Sequence, residues 1–390
     1  MIRQDADMSS VNGEKSKRAM IIGAGPGGLT AAIALSQAGF EPVIYEQANE
    51  MREIGSGLTL WPNAMCALEQ LGLAEAVQAV SLPFSGIAMR SWRGELLFDV
   101  VHQPEENFGV YGVAIHRAEL LNVLLGALNR TAITFGTRCI SYHQDDQQVS
   151  AIFDRGLEVS GDILIGADGI KSVIRAQLFK ATPLQYAGYT VWRGVTQFKL
   201  GNLIGLTSLG RGAQFGLFPM TQDRVYWFAC ANALAGDLDW DVGRKQELLE
   251  RFRDWHEPIA AVIAATDESA ILRNDIYDLD PLEQWSDKRV VLLGDAAHPA
   301  TPNLGQGVCQ AIEDAVVLKN CLQAVPEIAL ALKAYESRRI PRTSEIVMQS
   351  RRMGQMGQWN NPILCWLRNQ LIKRTPELVR FQQLSKIFSF

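Results

Sequence analysis

Residues 19–46 read AMIIGAGPGGLTAAIALSQAGFEPVIYE, and they decide the fold. An apolar run, Ala19 to Ile22, ends in glycine. Gly23, Gly25 and Gly28 follow in G-x-G-x-x-G spacing, and an apolar stretch of helical period (Leu29, Ile33, Leu35) closes at Gly39. A second run, Pro42 to Tyr45, leads into Glu46. The expected elements are a strand, a tight turn, a helix and a parallel strand. Gly23 permits the turn, Gly25 lets the backbone approach a pyrophosphate, and Gly28 lets the helix lie close on the sheet. The pyrophosphate sits at the helix N-terminus, where free N–H groups and the dipole favour negative charge. Glu46, ending the second strand, is placed to accept hydrogen bonds from a ribose diol. The flanking strands and the acid set this stretch apart from a chance glycine-rich loop. It predicts binding of an ADP-containing dinucleotide.

Working outward, 390 residues exceed one small domain, and two or three units are expected. Hydrophobic residues make up 47% and charged ones 20%, the balance of a chain with a substantial core. No apolar run reaches membrane-span length; the densest, Pro258 to Ala265, is far too short. Residues 1–17 are polar, lack the apolar centre of a secretion signal and read as a loose tail. The six cysteines are scattered without a C-x-x-C pair, which points to reduced thiols and a cytoplasmic setting. The five histidines are equally dispersed, so no metal site is expected. The net charge of −5 is uneven: from Arg338 onward ten Lys and Arg face two Glu, a local +8 that leaves −13 elsewhere. No nucleic-acid module accompanies the basic part, so nucleic acid is not an expected partner.

Beyond the first unit, Gly55-Ser56-Gly57 marks a turn, readable as a hinge or as a plain surface turn, and Pro62-Asn63 opens a helix over 64–71. Residues 81–101 alternate around Arg93-Gly94 as a hairpin. His116 to Leu121 starts a helix ending near Arg130. Strands at 133–135 and 149–153 lead to DILIGADGIKSVIR (162–175), an apolar strand running into Gly166-Ala167-Asp168-Gly169. Residues 181–280 change to short strand-like pieces (189–195, 214–219, 224–231), a separate antiparallel sheet. A helix at 243–255 follows, and 271–278 is expected to return toward the first domain. RVVLLGD (289–295) is a buried strand ending in Gly294-Asp295, followed by a Pro- and Gly-rich loop and a helix over 308–322.

Together the stretches at 23–28, 165–175 and 294–307 resemble the class A flavoprotein monooxygenases, the single-component FAD aromatic hydroxylases, over about 18–350. The resemblance implies an α/β fold. It has a Rossmann-type FAD-binding domain with a mixed, mainly parallel sheet (18–80, 101–180, 281–330) and an inserted α+β substrate domain with an antiparallel sheet (81–100, 181–280). A C-terminal helical segment (331–390) completes it. It implies that Gly23, Gly25, Gly28 and Glu46 hold the ADP half of FAD. Asp168-Gly169, with Arg175, matches the segment that meets FAD and NAD(P)H; Asp295 matches the acid that bonds the ribityl chain. Arg117 matches an FAD-contacting arginine, and Pro299, Gly305 and Gly307 the loop and helix start beside the isoalloxazine ring. Plainer roles stand beside these: a cap for Asp295, an Asx-turn for Asp168, a surface ion pair for Arg117. The implied chemistry is hydride transfer from NADH or NADPH to FAD, then reaction with O2 to a flavin C4a-hydroperoxide that oxygenates a small aromatic or conjugated ring.

The loop reads PNLGQGVCQAIEDA, with Cys309 where many aromatic hydroxylases carry Asn, which resembles the urate hydroxylase and zeaxanthin epoxidase branches. By similarity to the former, Arg211 and Tyr226 are candidate catalytic, substrate-facing residues; a strand-surface Arg and a core Tyr are the alternatives. The apolar neighbours Gln214 to Pro219 suit a purine poorly. Trp192-Arg193-Gly194 either lines the same pocket or packs it. Epoxidation of a lipophilic isoprenoid or carotenoid is the competing reaction, and a non-catalytic flavin-binding scaffold the competing class. A flavin disulfide reductase lacks its Cys pair, and a plain NAD dehydrogenase leaves 166–169 and 294–307 unexplained. A monomer and a homodimer are equally compatible with the sequence. The aromatic, basic stretch 359–390 fits either contact with an anionic membrane surface or, preferred here, a helical pair packed on the body with its charges toward water.

Overall fold

The computed structural model describes residues 16–51, 56–83, 86–101, 112–128, 131–179, 183–201, 204–239 and 243–390. Most of the expected tail, 1–15, and Gly55 of the expected hinge lie outside the described residues. The opening unit is β1 (Arg18–Ile22), α1 (Pro26–Gln37) and β2 (Glu41–Tyr45). Pro26 begins α1 where the helix needs no backbone donor. Next come β3 (Gly57–Leu60), α2 (Pro62–Glu69), α3 (Ala74–Ala79), β4 (Leu82–Pro83), the hairpin β5 (Gly86–Ser91) and β6 (Leu96–Val101), β7 (Val113–His116) and α4 (Arg117–Gly126). After β8 (Ala132–Thr134), an antiparallel meander of β9 (Cys139–Gln144), β10 (Val149–Phe153) and β11 (Glu158–Gly161) leads to β12 (Ile163–Gly166) and α5 (Val173–Phe179). The long β13 (Gln185–Gln197), β14 (Ile204–Leu209), β15 (Ala213–Met220) and β16 (Arg224–Asn232) follow, then α6 (Arg244–Phe252), α7 (Ile259–Ala265) and β17 (Leu272–Asp278). The chain closes with β18 (Ser286–Asp287), β19 (Val290–Leu292), α8 (Gly307–Ala324), α9 (Ile328–Gly357), α10 (Pro362–Arg374) and α11 (Glu377–Phe388).

One sheet has the order β18-β19-β12-β1-β2-β8 and is parallel except for β18. All four residues of β12 (ILIG) are buried, as expected of a strand covered on both faces. Because β1 lies between β2 and β12, the order reverses there, and the crevice beyond their carboxyl ends is where such a sheet takes a ligand. A second sheet, β17-β13-β16-β15-β14-β5-β6, is antiparallel apart from the parallel β14–β5 pairing. The 86–101 hairpin therefore extends the same sheet as 185–232. The strand at 272–278 pairs with β13 as the edge of the second sheet, and the chain then passes to β18 and β19 of the first. A small sheet, β3-β7-β4, escaped the sequence reading, because strands of two to four residues carry no readable alternation.

The second sheet packs one face against α6 and α7. Trp192, Phe215, Leu217, Val225, Trp227 and Ala229 meet Leu248, Phe252, Ile259 and Val262 there. Strand alternation then turns Tyr226 and Phe228 to the opposite face. No helix among the described residues is long and apolar enough to cross a membrane.

Beneath the start of α8 lies a buried ionic network. Arg339 of α9 donates to Asp314 Oδ1 (2.7 Å) and Glu313 Oε2 (2.5 Å), and Arg342 donates to both Glu313 oxygens (2.6 and 2.7 Å). Asn63 adds a donor to Glu313, while His298 and the Gly294 N–H reach Asp314 Oδ2 (2.6 and 2.9 Å). Two carboxylates and two guanidinium groups balance, and the hydrogen bonds fill the remaining acceptors, which is what makes such a network tolerable. Burial alone raises the Asp314 carboxyl, but the neighbouring charges of His298 and Arg339 hold it at about 2. Replacing Arg339 by Met leaves Asp314 with no guanidinium partner and Glu313 with Arg342 alone, and is expected to cost about 3–5 kcal/mol in urea unfolding. Arg338→Met, on the exposed side of the same helix, should stay within about 0.5 kcal/mol. Since the Asp314 pKa lies below its ordinary 3.8, its stabilisation is complete above that value and disappears as pH falls through about 2. Acid titration of Asp314→Asn against the parent protein should show a stability gap that is constant above about pH 4 and closes as the pH falls through about 2.

Candidate active site

At one end of the crevice Gly23 adopts φ +105°, and a Cβ there would lie 2.4 Å from the Ala167 carbonyl oxygen. A Cβ on Gly28 would lie 2.0 Å from the Gly23 oxygen, so both glycines are required by the crossing of turn and helix. Gly25 is different: its φ is −71°, and a Cβ would meet nothing within 4 Å. It faces open space at the N-terminus of α1, whose first N–H groups receive no side-chain cap. Glu46 accepts from the N–H groups of Ala24 and Ala48, both at 2.8 Å, so it closes the turn while keeping lone pairs toward the crevice. Arg117, first residue of α4, is brought beside Glu46: burial lowers its pKa, and the charge of Glu46 opposes this. These residues, far apart in sequence, share one end of the site.

The middle is formed where the turns after β12 and β19 meet. Asp168 Oδ2 accepts from the N–H groups of Val173 (2.7 Å) and Ile174 (3.3 Å), capping the start of α5 where the sequence offered an Asx-turn. Its Oδ1, however, is buried without a partner among the described residues, and desolvation raises the carboxyl's pKa. Gly169 has a φ of +77° and open space beside it. Arg175 is buried and donates to Ala296 O (2.8 Å), Asp295 O (3.4 Å) and Ile170 O (2.5 Å). It ties the two turns together. The Asp295 carboxylate offers ample surface to solvent, yet atoms crowd round it closely enough for desolvation to raise its pKa. Both hold for a residue on the floor of a deep cleft.

The far end is the loop before α8. Pro299 is buried behind it. Gly305, at φ +63°, turns the chain where a Cβ would lie 2.8 Å from Trp61 Nε1 and 3.0 Å from Thr59 Oγ1. Gly307 opens α8 without a side-chain cap, and a Cβ there would meet only Asp295 Oδ1, at 3.8 Å. The Cys309 thiol lies under the Trp61 N–H (3.5 Å), and burial pushes its pKa up to about 12, so it serves as packing and not as a nucleophile.

Facing this loop is the face of the second sheet left free of α6 and α7. Pairing places Arg193 beside Phe228, and Phe228 beside Gly216, which has no side chain because the Phe228 ring fills its space. Tyr226 pairs with Phe218 and Val195, and its ring lies where any side chain on Gly57 would be, 2.3 Å from the Cβ position. Tyr189 donates to Asn303 Oδ1 (2.7 Å), joining sheet and loop. Burial raises the Tyr226 pKa and the charge of Arg193 partly opposes this; the phenol stays protonated near neutrality. Arg193 is half-buried and pairs with no carboxylate among the described residues.

The two candidate substrate-facing residues, Arg211 and Tyr226, lie in different places. Arg211 is exposed on the turn between β14 and β15, whereas Tyr226 pairs with Phe218 near the other end of β15. Gln214, missed in the sequence, lies buried on the cleft face of β15 with its Nε2 unpartnered among the described residues. Phe228 was also missed; the alternation of Tyr226, Phe228 and Cys230 against Val225, Trp227 and Ala229 was the available signal. The crevice fits a long dinucleotide: open backbone at Gly25, Gly169 and Gly307, an orphaned acceptor on Asp168, and a carboxylate on the cleft floor for a polyol.

Comparison with known proteins agrees. Residues 17–350 match the family described as FAD binding domain. The aurachin C monooxygenase/isomerase of Stigmatella aurantiaca is 41% identical over 357 residues, covering 91% of this chain and 93% of the relative. The FAD-dependent urate hydroxylase of Klebsiella pneumoniae subsp. pneumoniae is 34% identical, over 86% of this chain and 89% of its own. The crystal structure of Klebsiella pneumoniae HpxO with FAD and uric acid superposes with a TM-score of 0.90 at 31% identity, covering 95% of this chain and 96% of the other. With a crevice built for a dinucleotide and relatives matched along nearly their whole length, this chain belongs to the class A FAD-dependent monooxygenases.

Proposed function

We propose that the protein uses NADH or NADPH and O2 to hydroxylate a small aromatic or conjugated ring. The first sheet and its turns (18–80, 101–180, 281–330) hold FAD, and 81–100 with 181–280 hold the substrate. The observation that carries this reading is the cleft face of the second sheet: Tyr226, Phe228 and Phe218 present flat apolar walls beside the uncompensated guanidinium of Arg193. Aromatic rings stack on such walls and exclude water. A guanidinium with no carboxylate partner selects a carboxylate or phenolate on the ring and steadies the electron-rich form that oxygenation requires. Tyr226, being protonated, orients the substrate as a donor and does not act as a base.

FAD, when bound, supplies oxygen activation and hydride acceptance. For it the chain provides Gly25 and the α1 N-terminus at the pyrophosphate, Glu46 and Arg117 at the adenosine end, Asp168 and Gly169 between, and Asp295 at the polyol. The loop from Pro299 through Gly305 to Gly307 and the positive end of α8 serve the ring, where negative charge gathers on reduction. Each side chain's task is holding, orienting or excluding water.

A panel of hydroxylated benzoates and quinolones, followed simultaneously for NAD(P)H consumption and oxygenated product, tests the reaction. Oxidation stimulated by a ligand and matched by product is expected; FAD binding with no stimulation by any ligand would instead indicate a scaffold. Arg193→Met should raise KM for an anionic ring by roughly tenfold or more, with little change for its neutral amide. Gly25→Val should leave thermal stability nearly unchanged, since nothing fills that space, yet reduce FAD occupancy of the purified protein. Gly28→Ala should instead lower stability before any flavin is added, because it collides with the Gly23 carbonyl.

A further inference from the structure

The C-terminal segment packs on the body, and its charges divide: Arg374 and Lys386 are exposed, whereas Arg368 is buried. In α10 the buried side is polar: Arg368 is buried and donates to Met356 O (3.1 Å), Gly357 O (3.2 Å) and Gly210 O (2.9 Å). Asn361 caps the helix through the N–H groups of Ile363 (2.9 Å) and Leu364 (3.3 Å), the Cys365 thiol donates to Trp359 O, and Lys373 pairs with Glu95 of the β5–β6 turn. These bonds fix the rotation of the helix about its own axis.

The side left outward is apolar. Ile363 is 68% exposed, Leu364 41%, Trp366 58%, Leu367 49% and Leu371 64%. At 3.6 residues per turn they span about 160° of one face, and Arg374 lies on the same line at its end. The exposed Arg374 has no carboxylate near it in sequence within α10, because Pro362–Arg374 contains no Asp or Glu. Large apolar surface held outward by a polar anchor marks an interaction site.

We propose that this face of α10 rests on the surface of an anionic phospholipid bilayer. Its aliphatic residues and Trp366 enter the acyl boundary, and Arg374 lies among the head groups. Charge selects this occupant. A twofold dimer joins the same patch from both copies, which here brings cations and apolar groups together with no acid to answer them. An anionic lipid surface answers both. The helix stands at the end of the second sheet, tied through Gly210 to the β14–β15 turn, so binding sets that sheet's end against the bilayer.

The test is co-sedimentation of the full-length flavoprotein with vesicles. Mixed phosphatidylcholine–phosphatidylglycerol vesicles should bind it, phosphatidylcholine alone should bind it weakly, and added salt should release it. The variant carrying Ile363→Gln, Leu367→Gln and Leu371→Gln should lose binding by more than about tenfold while retaining its flavin, since these side chains are exposed. Arg374→Glu should weaken binding, and Leu238→Gln, at an 87% exposed apolar position elsewhere, should not. No binding of the parent protein to mixed vesicles, equal binding to phosphatidylcholine alone, or equal binding by the triple variant each overturns the proposal. So does a dimer in sedimentation equilibrium that the triple variant dissolves without any effect of lipid.

Discussion

Two peptide groups that cannot both carry side chains set the site. Where β1 ends, Gly23 stands so close to the Ala167 carbonyl that a single added carbon would occupy the same volume, and Gly28 is pressed as closely onto Gly23. This crowding brings the turns after β1 and β12 into contact at the point where strand order reverses, leaving the donors at the start of α1 aimed into the crevice. Arg175 extends the same junction to the turn after β19 by binding carbonyls on both sides. The crevice is thus lined by three loops that are themselves fastened together.

Under the far end of the crevice the fold relies on charge. The start of α8 must present its free N–H groups to the cleft, so it cannot be secured by a cap on that side. It is secured from below, through Asp314 to Gly294 and His298 and through Glu313 to Asn63 and two arginines of α9. Such a network is costly if any partner is missing and directional when complete. It fixes the loop's position without placing any side chain in front of it.

The nucleotide end was legible because its signals are local: a glycine spacing, a helical period and an acid at a strand end lie within one short stretch. Asp168 was legible in position but divided in role, since one oxygen caps α5 and the other remains for the crevice. The aromatic cleft face of the second sheet was less legible. In β16 the run Tyr226-Trp227-Phe228 is aromatic on both faces, and only packing against α6 and α7 shows which face the cleft receives. Arg211 and Tyr226, both singled out by similarity, stand at opposite ends of β15, because a strand of that length carries its ends apart. The Arg339 network was hidden for another reason: charged residues on a helix ordinarily mean a wet face, and here they mean the opposite. α10 inverts the rule again, with Arg368 inside and its leucines out.

The sulfur beneath Trp61 has a bearing on durability. Burial pushes the Cys309 thiol up to about 12, so it stays protonated at neutral pH. Oxidants act on the thiolate, so a cysteine buried beneath the cleft and kept as the thiol remains chemically quiet. The floor of a flavin-binding crevice thus offers oxidants little to attack.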